Sequence, residues 1–133
     1  RQRQMCIRDR LGTLLPTARA YQVLSGFAVT GEHMVGVTLG DSLPTIRAWA
    51  ATSGSGTALL LVNVDSATTK TVPVSIKGRT SGASVSVTTY GKTQYDDSKN
   101  NIWTAPVQSS VGAWTNTFAV TLPPWSITVV RAP

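Results

Sequence analysis

TALLLVNVD, residues 57–65, is the most apolar run in the chain. In an extended strand, Leu59 and Leu61 would face one side, and Leu60 and Val62 the other. A strand that is apolar on both faces is normally a central one, covered above and below. We therefore expect this run to lie in the middle of the fold. It indicates how the domain is held together but nothing of its chemistry.

The segments around this run alternate between apolar and polar residues, as half-buried strands do. Further strands are predicted over residues 33–39, 45–51, 71–76, 83–90, 117–122 and 126–131. The turns between them are rich in Gly, Ser, Asn and Pro, and SerGlySerGly at 53–56 predicts a hairpin. Together these segments predict an all-β fold, an antiparallel β-sandwich of about seven to eight strands.

Two local features refine this prediction. Pro73 predicts an edge position or a bulge for its strand, because proline has no backbone N–H for a neighbouring strand. Residues 92–116 predict a long loop that holds one more short strand near Ile102 and Trp103.

One α-helix is predicted before the strands. Ala20, Val23, Leu24 and Phe27 follow the spacing that places side chains on a single helix face. Pro16 suits the first turn of such a helix. An amphipathic helix this short needs a surface to pack on, and it is the only helix that the sequence predicts.

Residues 1–10, RQRQMCIRDR, resemble a translated DNA-sequencing adapter rather than native protein. The transposon end used in shotgun libraries contains ATG TGT ATA AGA GAC, which encodes Met-Cys-Ile-Arg-Asp. The bases CGG CAG CGT CAG before it encode Arg-Gln-Arg-Gln. The alternative is a basic N-terminal arm that binds nucleic acid. We favour the adapter and leave the segment out of the fold prediction.

This exclusion changes the charge and the cysteine count. The formal net charge falls from +6 to +3, with eight Lys+Arg and five Asp+Glu, and the only cysteine, Cys6, is removed. A mild charge without a Lys/Arg cluster does not favour a nucleic-acid partner. No apolar run is long enough to cross a bilayer, so no membrane partner is expected either.

The acidic residues do not suggest an active site. Those after residue 10 are Glu32, Asp41, Asp65, Asp96 and Asp97. Glycoside hydrolysis requires two carboxylates about 5 to 10 Å apart, on either side of the scissile bond. Asp41 and Asp65 stand in turn sequences where aspartate caps backbone N–H groups. Asp96 and Asp97 lack the ligand spacing of a calcium loop, and His33 has no second histidine to complete a zinc site. We predict no catalytic residue, no metal site and no cofactor.

Four tryptophans are many for a chain of 133 residues. Flat aromatic rings stack on sugar faces as they do on other rings. Trp103 and Trp114 fall in the predicted long loop, where ligand contacts concentrate, and Trp49 faces away from the apolar side of its strand. These three are the candidate carbohydrate-binding residues. The alternative is that they fill the core or a domain interface. Trp125 follows Leu-Pro-Pro at the start of the last strand and is interpreted as a packing residue.

Five segments follow one another in a recognisable order. They are PTARAYQVL at 16–24, LPTIRAWA at 43–50, LLLVNVDS at 59–66, TyrGly at 90–91 and LPPWSITVV at 122–130. This order resembles the C-terminal end of retaining glycoside hydrolases in which a (β/α)₈ barrel carries an accessory β-sandwich. α-L-Arabinofuranosidases, β-xylosidases, endoglucanases and heparanase-like β-glucuronidases share that plan.

The resemblance implies that residues 11–30 are the last helix of a truncated upstream barrel and residues 31–133 its C-terminal sandwich. The catalytic glutamates of such enzymes lie on barrel strands, and no position here matches them, so this chain itself is expected to be inactive. The implied partner is the upstream barrel of the same parent chain, the implied ligand class is polysaccharide, and the implied location is secreted or periplasmic. The sandwich of such enzymes often includes a strand from before the barrel, which predicts an unpaired sheet edge here.

Three functions follow as alternatives. The chain is an accessory domain of a glycoside hydrolase, a carbohydrate-binding module that uses exposed tryptophans, or an immunoglobulin-like structural or adhesion module. The helix before the sandwich favours the first, since a free-standing module has no need of it. An exposed apolar patch on the helix and on one sandwich face would favour it further. Fold likeness alone does not establish function.

Overall fold

The computed structural model describes residues 14–133, so the predictions for residues 1–13 lie outside the described residues. The elements of the described part are α1 (Pro16–Leu24), β1 (His33–Val35), β2 (Ile46–Ser53), β3 (Gly56–Asn63), β4 (Lys70–Val74), β5 (Ser81–Gly82), β6 (Val85–Tyr90), α2 (Lys92–Lys99), β7 (Val107–Val111), β8 (Trp114–Thr115), β9 (Phe118–Leu122) and β10 (Ser126–Ala132).

The main layer is a six-stranded antiparallel sheet in the order β1-β2-β3-β10-β6-β7. Leu60 of β3 pairs with Trp49 of β2 on one side and with Val129 of β10 on the other. This confirms the central position predicted for the apolar run at 57–65. The predicted hairpin at 53–56 is also confirmed, since Ser53 pairs with Gly56.

A smaller layer, made of the pairs β4–β9 and β5–β8, covers the inner face of this sheet. Phe118, Val120 and Leu122 alternate with exposed residues along β9 and point into the core. Full burial of a side chain such as Leu122 (0% exposed) stabilises the fold by roughly 1.5–3 kcal/mol. The two layers confirm the predicted antiparallel β-sandwich.

The strand β4 lies at an edge of the smaller layer. Within the described residues, β4 pairs with β9 and with no other strand, which confirms the edge position predicted from Pro73. The open edge borders a cleft of about 800 Å³ between the layers. Leu61, Val72 and Val74 line this cleft.

The helix α1 lies on the outer face of the main sheet. Val23 is 2% exposed and packs with Tyr90 and Val129, and Phe27 joins them from the segment after the helix. Arg131 of β10 donates to the Gly26 carbonyl at 2.6 Å, which ties the end of the helix to the sheet. The predicted apolar helix face is confirmed. No helix in residues 14–133 has the length and hydropathy of a membrane span.

The prediction for residues 92–116 is wrong. The segment holds the helix α2 and the strands β7 and β8, and no strand forms at Ile102 and Trp103. The sequence KTQYDDSK of α2 is polar on nearly every side, so it has no apolar periodicity from which a helix can be predicted. Asp96 forms ion pairs with Lys92 and Lys99 along this helix, and pairs at this spacing stabilise it.

Candidate functional site

The structure separates the three tryptophans that were predicted to bind carbohydrate. Trp49 is 43% exposed on the outer face of β2. Trp103 is half-buried in the connection between α2 and β7, and Trp114 is buried in β8. They lie in different parts of the fold and do not form one surface.

Trp114 is a core residue, so the prediction that it contacts ligand in a loop is wrong. Its ring packs edge-to-face on Phe118, with the centroids 5.1 Å apart, and the Arg79 guanidinium lies 5.7 Å from its centroid. Gly82 on the paired strand leaves space for the indole, since a Cβ there would lie 2.4 Å from Nε1. A ring that is 6% exposed has no free face for a sugar.

Trp125, which the sequence assigned to packing, is the most exposed tryptophan, at 62%. It has a φ of +46°, a left-handed backbone conformation that is a genuine outlier for so bulky a residue. Such strain persists only where the surrounding structure fixes the backbone. The turn before β10 is therefore held firmly, while the indole that it carries points into solvent.

Asn63 explains how that turn is held. This residue is 1% exposed, and its Nδ2 lies 3.2 Å from the Leu122 carbonyl oxygen and 3.0 Å from that of Pro123. Its Oδ1 accepts from the Asp65 N–H at 3.0 Å, and the Asp65 carbonyl accepts from the Trp125 N–H at 2.9 Å. The LLLVNVD and LPPW segments that carried the family resemblance are thus joined by hydrogen bonds through Asn63 and Asp65, named here the latch.

Asp65 strengthens this latch from its other side. Its carboxylate accepts from the backbone N–H groups of Ala67 at 2.9 Å and Thr68 at 3.0 Å. These two bonds, with a smaller contribution from Lys70 at 3.7 Å, lower the pKa of Asp65. The turn-capping role predicted for this aspartate is confirmed.

Trp125 borders a cleft of about 510 Å³ at the N-terminal end of α1, named here the aromatic cleft. Two tyrosines, a tryptophan and an isoleucine form most of its wall, α1 supplies a proline and an alanine, and charged residues of α2 form its rim. The lining residues are Pro16, Ala20, Tyr90, Gly91, Lys92, Tyr95, Asp96, Lys99, Trp125 and Ile127.

The junction of β6 with α2 fixes the position of Tyr95 relative to the tryptophan. The Lys92 N–H donates to the Pro124 carbonyl at 3.1 Å. The Gly91 N–H donates to the buried Gln94 Oε1 at 2.9 Å and so starts the helix. A Cβ on Gly91 would lie 3.1 Å from the Ser126 Cβ, so the two loops fit closely.

The rim of the aromatic cleft is charged and hydrogen-bonded. Hydrogen bonds from Lys92 and Lys99 lower the pKa of Asp96, and Asp96 in turn raises the pKa of Lys99. The Lys99 ammonium also lies 4.9 Å from the centre of the Tyr95 ring. Burial raises the pKa of the Tyr90 hydroxyl. The site offers both hydrogen-bond donors and acceptors beside aromatic rings.

The sequence carries a weak signal for this site. Tyr90 and Trp125 stand at the ends of adjacent strands β6 and β10, where Ile127 pairs with Tyr90. Tyr95 could not be placed, because the polar helix that carries it was not predicted. The spacing of the strands does not determine whether the turn before β10 directs the Trp125 side chain into the core or into solvent.

Four of the five acidic residues in the described chain make hydrogen bonds or ion pairs within the protein. The fifth, Asp41, is exposed, and its capping role stays a prediction. Glu32 pairs with Arg131, which is the main cause of its lowered pKa, and Asp97 accepts from the Thr104 hydroxyl at 2.8 Å. His33 is exposed on β1. Within residues 14–133, no group of His, Cys, Asp and Glu side chains is arranged to hold a metal ion.

Comparison with solved structures finds this fold in glycoside hydrolases. A GH30 endoxylanase from Clostridium papyrosolvens matches with a TM-score of 0.70 and 19% identity over 96% of this chain and 30% of its own. A GH30 subfamily 8 xylanase from Clostridium acetobutylicum matches with a TM-score of 0.69 and 17% identity, over 96% of this chain and 30% of its own. A bifunctional glucanase–xylanase from a metagenome library matches with a TM-score of 0.65 and 16% identity, over 86% of this chain and 22% of its own.

These likenesses define the class of fold. The chain has the fold of a β-sandwich domain that occurs in glycoside hydrolases, and it spans less than a third of the length of the two xylanases. No protein-family model and no curated protein matches its sequence.

Proposed function

We propose that this chain is the C-terminal, non-catalytic accessory domain of a glycoside hydrolase that acts on plant or microbial polysaccharide. In this proposal residues 11–30 are the last helix of an upstream barrel, residues 31–133 are the sandwich, and the parent enzyme is secreted or periplasmic. One observation carries it. A fold match over 96% of the chain includes α1 as well as the sandwich, in xylanases much longer than this chain.

The exposed apolar side chains support a docking role. Trp49 and Met34 (57% exposed) lie on the outer face of the main sheet, the face on which α1 packs. Tyr21 on α1 is 65% exposed. Apolar residues grouped on one side of a domain mark an interaction surface. We infer that this surface packs on the barrel, which makes Trp49 a docking residue rather than a sugar-binding one.

The open edge of β4 supports the same proposal. The cleft beside it is lined by apolar side chains, among them Leu59 of β3, Leu43 before β2 and Ile76 after β4. Apolar groups between two layers lose dispersion contacts where no partner fills the gap. A strand from a segment before the barrel would pair with β4 and cover these side chains.

The second candidate function, carbohydrate binding, is favoured by the aromatic cleft. Trp125 and Tyr95 expose their rings beside charged groups, whereas a structural module would bury them. An accessory domain can also bind the substrate of its enzyme, so this function is compatible with the first.

A long sequencing read of the source DNA across the codons before Leu11 tests the proposal. We expect the reading frame to continue upstream into a barrel that carries two glutamates at strand ends, since those residues perform retaining hydrolysis. A stop codon or a signal peptide directly upstream of Leu11 would refute the accessory role.

A further inference from the structure

We propose that the aromatic cleft is a saccharide-binding subsite in which Trp125 stacks on a pyranose ring and the rim of α2 binds its hydroxyl groups. The ligand class is a linear polysaccharide of pyranose sugars, for which xylohexaose is the probe. The position of this subsite relative to the substrate rests on the proposed function, whereas the binding chemistry stands on the cleft itself.

The conformation of Trp125 points to a ligand. Its indole is 62% exposed, so packing of the side chain does not offset the cost of a φ of +46°. Backbone strain of this kind clusters at ligand sites, where the surrounding structure holds a side chain ready for contact. The latch through Asn63 and Asp65 supplies that support, and it leaves the indole face free.

The cleft combines the groups that a sugar requires. A pyranose ring has a face of C–H groups, which packs on an aromatic ring, and an edge of hydroxyl groups, which needs donors and acceptors. Trp125 and Tyr95 supply exposed rings, and Lys92, Asp96 and Lys99 stand at the rim. Asp96 is an acceptor and the two lysines are donors, so one concave surface serves both parts of the sugar.

The place of the cleft along α1 gives its orientation in the parent enzyme. Each barrel helix follows a strand whose C-terminal end lies at the catalytic face, so the helix begins at that face. Pro16 and Ala20, in the first turns of α1, line the aromatic cleft. If α1 is the last barrel helix, the cleft opens on the side of the active site. A polysaccharide that extends from the active site would reach it.

The upstream barrel is an alternative occupant of the aromatic cleft, and the geometry of α1 argues against this alternative. Val23 packs on the sheet, and Tyr21 lies about 200° away from it around the helix axis. Tyr21 therefore marks the helix face that is directed away from the sheet, consistent with its 65% exposure. A barrel that packs on the Tyr21 face leaves the cleft between α1 and α2 open.

The test is an NMR titration of the whole chain with xylohexaose, in which the four tryptophan indole N–H signals are followed. We expect the Trp125 signal to shift on saturation. Trp125→Ala should raise the Kd about tenfold, which corresponds to 1.4 kcal/mol. Trp125→Tyr keeps an aromatic ring and should restore most of the affinity. If Trp125→Ala does not give the amide spectrum of a folded chain, Tyr95→Ala replaces it, with an expected rise in Kd of about threefold.

Trp49→Ala is the matched control, because Trp49 is exposed on the main sheet and does not line the cleft. It should bind xylohexaose like the unchanged chain. The subsite is refuted if the Trp125 signal does not shift. It is also refuted if Trp125→Ala and Trp49→Ala raise the Kd for xylohexaose by the same factor. Binding through Trp125 with no barrel encoded upstream would keep the subsite and refute the accessory role. A barrel encoded upstream, with no binding through Trp125, would keep the accessory role and refute the subsite.

Discussion

Asn63→Ala is predicted to destabilise the described chain strongly, although Asn63 is a polar residue outside the apolar core. The substitution removes the bonds to the Leu122 and Pro123 carbonyls and leaves the Asp65 N–H without its acceptor. Each lost bond of this kind costs about 1 kcal/mol net, and a buried group left unpaired costs about 1–3 kcal/mol. We therefore expect a loss of roughly 2–4 kcal/mol in the free energy of unfolding.

That loss is large for a domain of this size, whose total stability is about 5–15 kcal/mol. Urea unfolding followed by circular dichroism measures it directly, as a lower midpoint with an unchanged slope. Asn100→Ala is the matched control. Asn100 is exposed at the end of α2, and its replacement should change the stability by less than about 0.5 kcal/mol. If Asn63→Ala costs less than about 1 kcal/mol, the latch does not hold the turn.

Three further predictions follow from the packing, the ion pairs and the open edge. Gly82→Ala places a Cβ 2.4 Å from the Trp114 Nε1, so the ring must move, at a cost of about 1–3 kcal/mol in urea unfolding. Hydrogen bonding to Arg131 lowers the pKa of Glu32. The stability from this pair is therefore present above the pKa of an unfolded glutamate, about 4.3. It is lost as the pH falls through the lower pKa of the folded state. Glu32→Gln should flatten that acid dependence of the urea midpoint. The open edge of β4 should make the chain self-associate as its concentration rises in sedimentation velocity, because an unpaired edge is a template for pairing.

Each of these predictions has its own contradicting result. Gly36→Ala, where no atom lies within 4 Å of the added Cβ, is the control for Gly82→Ala, and equal stability of the two variants would refute the steric argument. An unchanged acid dependence in Glu32→Gln would show that this pair does not contribute. A chain that remains monomeric at every concentration would show that the β4 edge is protected.

Much of the sandwich could be predicted because its strands have simple burial patterns. The central strand β3 was identified because it is apolar on both faces, and β9 because Phe118, Val120 and Leu122 alternate with exposed residues. The edge position of β4 followed from a single proline. These are local properties, and the sequence displays them directly.

The site could not be predicted in the same way, because it depends on contacts between distant segments. Trp114 is buried because β8 pairs with a glycine of β5, and Trp125 is exposed because a latch from β3 holds its turn. Neither contact has a local signature. Asn63 did carry a signal, since it shares the strand parity of Leu59 and Leu61 and so had to be a buried polar residue with partners.

In the proposed function, this sandwich packs on and supports a barrel of the same parent chain. Calorimetric unfolding of the parent enzyme, once its reading frame is recovered, tests that claim most directly. We predict one cooperative transition, shifted to lower temperature by Trp49→Ala, because Trp49 would lie in the interface. Two separate transitions, with the one for the barrel unchanged by Trp49→Ala, would contradict it.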